Sequence, residues 1–177
     1  MTFFTKLKPL LYLTLLISCS TRTPLLVQPG ENVGTYVIEE TTINDVLNLN
    51  GNNFTFEQGI TEGVDWSVYT NRYVYDQIGK TFITRTNEDG NETLERANLS
   101  GIILFSGNYK TADGIILQVS KYADVIKRYG QPELIRENIN GHVIAYKSRG
   151  ISFLIERETK TVITFEIYKK NGISDLL

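Results

Sequence analysis

Two stretches decide the fold: Thr41-Thr42-Ile43-Asn44-Asp45-Val46-Leu47-Asn48-Leu49-Asn50-Gly51 and Ser120-Lys121-Tyr122-Ala123-Asp124-Val125-Ile126-Lys127-Arg128-Tyr129-Gly130. They align at a fixed offset of 79 residues, with Thr41 against Ser120, Asp45 against Asp124, Val46 against Val125, Leu47 against Ile126 and Gly51 against Gly130. Each reads as one short helix. A hydroxyl residue caps the start. An aspartate sits early, at the favourable end of the helix dipole. An apolar pair one turn after Ile43 or Tyr122 faces a core. A glycine ends the helix, and Pro132 blocks any continuation after the second copy. The residues before the caps also match, Tyr36-Val37-Ile38 against Ile115-Ile116-Leu117. A chance recurrence of a common helix pattern is the bland explanation; the matched positions favour a duplication.

Strands follow each helix. In the second half, Leu134 to Asn138 leads to Asn140-Gly141, a two-residue hairpin signal. His142 to Lys147, Ile151 to Glu156 and Thr161 to Lys169 read as three further strands, with Ser148-Arg149-Gly150 and Arg157 to Lys160 as turns. Alternation places Ile151, Phe153 and Ile155 on one face, and Ile163, Phe165 and Ile167 likewise. That face is expected under the helix at 121–129. Ser152, Leu154, Glu156, Val162, Thr164, Glu166 and Tyr168 fall on the other. The first half is less regular. Trp66, Val68, Tyr69, Tyr73 and Tyr75 mark one or two strands, Lys80 to Thr86 another, Thr93 to Asn98 its hairpin partner, and Ile102 to Phe105 the last. The expected fold is α+β: two related units, 33–107 and 108–177, each a short helix packed on an antiparallel β-meander. Residues 108–114 are expected to connect them.

The composition excludes several classes. The chain of 177 residues has one Cys, one His, one Met and one Trp. A disulfide framework and a Cys/His zinc site both need more ligands. Eighteen basic against twenty acidic side chains leave a charge of −2, with no basic stripe for nucleic acid. A hydrophobic fraction of 41% with 21% charged residues describes a foldable chain.

The N-terminus reads as an address. Lys6 and Lys8 precede an apolar run from Leu10 to Ile17, too short to span a bilayer and suited to an export signal. Leu16-Ile17-Ser18-Cys19 resembles the lipobox of bacterial lipoproteins. The resemblance implies cleavage after residue 18, a diacylglyceryl thioether on Cys19, and acylation of the new amine. Several acyl chains would anchor the protein stably, where one is reversible. The alternative is an ordinary signal peptide with an incidental Cys. Ser20, not Asp, follows the Cys, which favours an outer membrane where the source has one. Residues 1–18 are thus expected to be a signal peptide and 19–32 a tether.

The unit with Asp124-Val125-Ile126, Tyr129-Gly130-Gln131-Pro132 and the closing Ile151-Ser152-Phe153 and Val162-Ile163-Thr164-Phe165-Glu166-Ile167-Tyr168 resembles the small SmpA/OmlA-type lipoproteins of outer-membrane assembly. Its duplication is similar to that of the tandem-repeat β-lactamase inhibitory proteins. The resemblance implies protein binding without catalysis. The first unit departs from it, with Asn53 where the second has Pro132 and with a longer strand region.

Catalytic constellations are not legible. His142 as a general base is weighed against an ordinary strand residue, and the latter is favoured. Ser67, Ser106 and Ser152 lack a second His and a nucleophile elbow. Asp89-Gly90-Asn91-Glu92 has no EF-hand spacing. Asn53-Phe54-Thr55, Asn91-Glu92-Thr93 and Asn98-Leu99-Ser100 are formal sequons, relevant only in a eukaryote. No metal or cofactor is implied. The expected function is a membrane-anchored, non-catalytic envelope lipoprotein that binds an envelope protein through an open sheet face. Tyr146, Leu154 and Tyr168 are its candidate partner-binding residues. A small-molecule or lipid binder, and a hydrolase inhibitor by analogy, are the alternatives.

Overall fold

The computed structural model describes residues 23–62, 67–87 and 96–177. Its largest element is an eight-stranded antiparallel sheet built from two meanders. The first comprises β4 (Thr55–Glu62), β5 (Ser67–Tyr75), β6 (Lys80–Asn87) and β7 (Leu99–Leu104). The second comprises β9 (Leu134–Asn138), β10 (Gly141–Tyr146), β11 (Ile151–Glu156) and β12 (Val162–Tyr168). The spatial order is β4-β5-β6-β7-β12-β11-β10-β9, so the last strands of the two meanders pair at the centre. Helices α1 (Ile43–Asn50) and α2 (Tyr122–Tyr129) precede their meanders. A small sheet completes the fold: β1 (Leu25–Gln28), β2 (Asn32–Val33) and β3 (Tyr36–Val37), with β8 (Tyr109–Thr111) parallel to β1. The protein is α+β, with two helix-plus-meander units sharing one sheet.

Both helices pack on one face of that sheet. A row of paired residues runs Tyr73, Phe82, Ile102, Ile167, Ile151, Tyr146 across six strands. All six belong to the same buried cluster as Ile43 and Val46 of α1 and Val125 and Tyr129 of α2. Phe153 meets Tyr129 edge-on at 5.3 Å and Phe165 at 5.5 Å, the favoured geometry for aromatic quadrupoles.

The repeat extends into details that the sequence match does not show. Thr41 Oγ1 accepts the Val37 N–H at 2.8 Å, and Ser120 Oγ accepts the Ile116 N–H at 3.0 Å. Glu39 and Gln118 both hold left-handed backbone, a conformation few non-glycine residues adopt. Tyr75 donates its hydroxyl to the Gly51 carbonyl and Tyr146 to that of Gly130, both at 2.8 Å. A 3₁₀ turn follows each tyrosine and closes on a left-handed glycine, Gly79 or Gly150. The offset between equivalent residues falls from 79 at the helices to 71 at Tyr75/Tyr146 and 63 at Leu99/Val162. The β4–β5 and β6–β7 hairpins of the first unit are therefore each eight residues longer than β9–β10 and β11–β12.

Several expectations need correction. Thr41 and Ser120 do not cap the helices; they fasten the preceding turn. Thr42 caps α1, exchanging bonds with Asp45 at 2.9 and 3.2 Å. Lys121 stands at the second cap, where its N–H donates to Asp124 at 2.8 Å. A lysine side chain has no acceptor with which to complete the box. Residues 25–31 are not a tether. Val27 is fully buried and pairs with Val33 and Thr111. Residues 109–111 of the expected connection are a strand. Thr93 to Asn98 is not the partner of β6 over its described residues, 96–98; β7 takes that place. β4 was not legible as a strand. Ile163 leaves the core face, because a β-bulge lets Val162 pair with Ile155 and turn inward. Ser100 is the matching bulge of the first unit, skipped between the pairs Ile83–Gly101 and Thr84–Leu99. The hairpin at 139–140 is one residue earlier than expected, since Asn138 pairs with Gly141. Gly141 is required for a different reason: a Cβ there would lie 1.9 Å from the Ile155 carbonyl.

Candidate functional site

Since α1 and α2 lie on one face, the other face of the sheet carries no helix among the described residues. Its central row runs Thr55, Val74, Thr81, Ile103, Glu166, Ser152, Ala145, Leu134 across all eight strands. Glu166 is fully buried. A carboxylate so placed is costly without donors, and the segment after β12 supplies them. The chain turns at Asn171 and Gly172, whose amides donate to the Lys147 and Lys169 carbonyls, and residues 173–177 lie across the helix-free face. Ser174 Oγ donates to Glu166. The Asp175 N–H does so at 2.5 Å and the Leu176 N–H at 3.2 Å. Burial pushes the Glu166 carboxyl up to about 7, against the pull of the three donors and with the Asp175 charge adding to the rise.

Asp175 is held in turn by the first unit. Arg72 Nε donates to its Oδ2 at 3.0 Å, and Arg85 Nη2 donates to its Oδ1. One carboxylate is thus shared by two guanidinium groups, one on each oxygen. The register explains the convergence. Arg72 pairs with Ile83, and Thr70 with Arg85, so both arginines project from the helix-free face on neighbouring strands. Arg85 is further fixed by Ser100 Oγ at 3.2 Å. Beside this clamp lies a cleft of about 350 Å³ with Gly59, Ile60, Val68, Thr70 and Ile173 in its walls. Ile60 and Ile173 remain 53% and 66% exposed.

A second hollow, about 600 Å³, lies on the helix side between the start of α2 and the outer strands β9 and β10. Tyr122, Ala123, Ile135, Glu137 and His142 line it. His142 is half-buried and meets Tyr122 edge-on at 5.6 Å, an ordinary strand environment.

The expected partner-binding residues are not at the surface. Tyr146 faces the helices and is 2% exposed. Tyr168 and Leu154 do lie on the helix-free face, yet both are buried. The Tyr168 hydroxyl sits 3.0 Å from Ser152 Oγ. Alternation assigned the face of Leu154 and Tyr168, but it carries no information on what lies over them. Cys19 and its lipobox residues Leu16, Ile17 and Ser18 fall outside the described residues, as do Trp66 and residues 89–92. Ser106 is exposed and Ser152 is hydrogen-bonded in the interior.

The residues that sequence reasoning missed are Arg72, Arg85 and Asp175. Arginines at 72 and 85 are the signal that was present: two cations inside strands otherwise rich in Thr, Tyr and Val. Among the described residues there is no group of three or more His, Cys, Asp and Glu able to hold a metal ion. No described helix is long and apolar enough to cross a membrane. No protein-family model matches the chain, and no curated protein or solved structure matches it either.

Proposed function

We propose that this is a non-catalytic, lipid-anchored envelope protein that binds another envelope protein through the helix-free face of its eight-stranded sheet. The observation that carries the reading is the Arg72/Arg85 clamp beside an open cleft on that face. Strands supply a rigid platform, and paired guanidinium groups recognise carboxylates with fixed geometry. The resemblance of Leu16-Ile17-Ser18-Cys19 to a lipobox supplies the anchor, with the outer membrane favoured by Ser20. The likeness of residues 120–132 to the SmpA/OmlA-type unit supports a binding role over catalysis.

The test is purification of the lipidated protein from its native membranes in mild detergent, with mass spectrometry of the co-purifying chains. Labelled palmitate should enter the wild-type protein and not Cys19→Ala. A near-stoichiometric envelope partner is expected. A solitary protein, or one that takes up no lipid, would count against the reading. The hollow beside Tyr122 and Ile135 favours a second reading, a small apolar or lipid ligand. A raised melting temperature in the presence of extracted envelope lipids, abolished by Ala123→Trp, would support it.

A further inference from the structure

The segment after β12 reports what its own site accepts. We infer that the Arg72/Arg85 clamp and Glu166 together form a binding site for an extended acidic peptide segment of the partner, and that residues 173–177 occupy it as an internal stand-in. The inference rests on the reading that the helix-free face is the binding face.

Three features define the ligand. The clamp takes one carboxylate, with one arginine on each oxygen. Glu166 takes two consecutive backbone N–H groups, those of Asp175 and Leu176, and a hydroxyl from Ser174. Backbone amides are common to every peptide, so Glu166 reads extended chain and the arginines read the acidic side chain. The cleft beyond, where a Cβ added to Gly59 would meet nothing within 4 Å, leaves room for residues preceding the acid. The matching ligand is a short segment with an Asp or Glu preceded by a small hydroxyl residue and followed by apolar ones.

The strap is suited to displacement. Its polar contacts on this face run through Glu166 and the two arginines, Ile173 is 66% exposed, and Leu176 and Leu177 are only partly buried. Polar contacts of this kind are regained by a competing peptide that brings both a carboxylate for the arginines and backbone N–H groups for Glu166, whereas a deeply buried apolar anchor would resist exchange. The site spans both units and occurs once, with the arginines on β5 and β6 and Glu166 on β12. At the offset of 71, the counterparts of Arg72 and Arg85 in the second unit are Val143 and Glu156.

The experiment uses the full chain and a fluorescein-labelled peptide of residues 171–177, Asn-Gly-Ile-Ser-Asp-Leu-Leu, read by fluorescence anisotropy. Asp175→Asn loosens the strap and leaves the clamp. It should bind the peptide at least tenfold more tightly than wild type. Binding should weaken with added salt. It should be lost when the peptide carries Asn for Asp, and in the triple variant R72A/R85A/D175N. A folded D175N that ignores the peptide, or that binds the Asn peptide equally well, overturns the inference. Should D175N melt well below wild type, a spin label at Ile173→Cys in a Cys19→Ala background replaces it. Excess acidic peptide should then sharpen the label's spectrum, and an unchanged spectrum overturns the inference. The assay needs no partner, so its outcome is separable from the membrane purification. A captured partner indifferent to R72A/R85A would remove the clamp and leave the binding face standing. A solitary protein that binds the peptide would do the reverse.

Discussion

The two units agree on the helix side of the sheet and disagree on the other. On the helix side, Phe82 and Phe153, Tyr75 and Tyr146, Gly79 and Gly150 occupy equivalent positions with equivalent partners. On the helix-free side, Ile103 answers to Glu166, Arg72 to Val143 and Arg85 to Glu156. Packing explains the agreement, since a helix ending at a glycine carbonyl bonded to a strand tyrosine is a solution either unit can use. Nothing in the packing requires the disagreement. It places one buried acid at the sheet's centre, a cationic pair on one side of it, and a strap joining them.

The comparison breaks hardest at the aromatic core. Phe82→Ala and Phe153→Ala should each cost about 3–5 kcal/mol. Because β7 and β12 join the meanders into one sheet, both should shift a single urea transition followed by circular dichroism. Two separated transitions would show units that fold independently.

Glu166 offers the next effect. Its folded carboxyl titrates near 7, above the ordinary range of about 4.3 for an unfolded glutamate. The folded state therefore binds the proton more tightly. The stabilisation is fully present below the ordinary range and is lost as pH rises through 7. Wild-type stability should fall by on the order of 1–3 kcal/mol between pH 5 and pH 8, and Glu166→Gln should flatten that slope. Its counterpart Ile103 cannot titrate, so this loss belongs to the second unit. Denaturant melts across that pH range decide it; equal slopes in the two proteins would refute the assignment.

Smaller effects test how equivalent the shared contacts are. Tyr75→Phe and Tyr146→Phe should each cost about 0.5–1.5 kcal/mol, and the double variant should show their sum, because separated sites add. Unequal losses would mean that one helix carries its unit more than the other. At the helix starts the units should differ. Thr42→Ala removes a side-chain cap worth about 1 kcal/mol. Lys121→Ala removes no cap acceptor, only the Nζ contacts to Thr159 and Thr161, and should change the melting point less.

The second unit was legible because its strands are short, regular and separated by turn residues. Ile151, Phe153 and Ile155 alternate cleanly, and β11 begins and ends where the sequence places it. The run Val162-Ile163-Thr164-Phe165 is apolar in both phases, so alternation could not reveal the bulge that moves Ile163 off the core face. β4 escaped notice because it is an edge strand with both faces open: every residue from Thr55 to Ile60 is exposed, and Gly59 interrupts the pattern. β1 is only four residues long and is held by pairing with β8, more than eighty residues away. The candidate site was the least legible part. Arg72 and Arg85 resemble ordinary surface charges until the hairpin register sets them side by side. Asp175 lies past the last residue that periodicity marked as folded.

The pairing of β7 with β12 has one more consequence. Leu104 faces Phe165, Ile103 faces Glu166 and Ile102 faces Ile167. Under the offset of 63, the first and third of these pairs exchange and the middle one maps onto itself. The seam therefore has the self-complementary register of a twofold homodimer interface, with Ile103 and Glu166 astride the axis. Two separate copies of a single ancestral unit could have closed the same sheet without a peptide link. Joining them in one chain then allowed the residues astride that axis to differ, as no symmetric dimer permits.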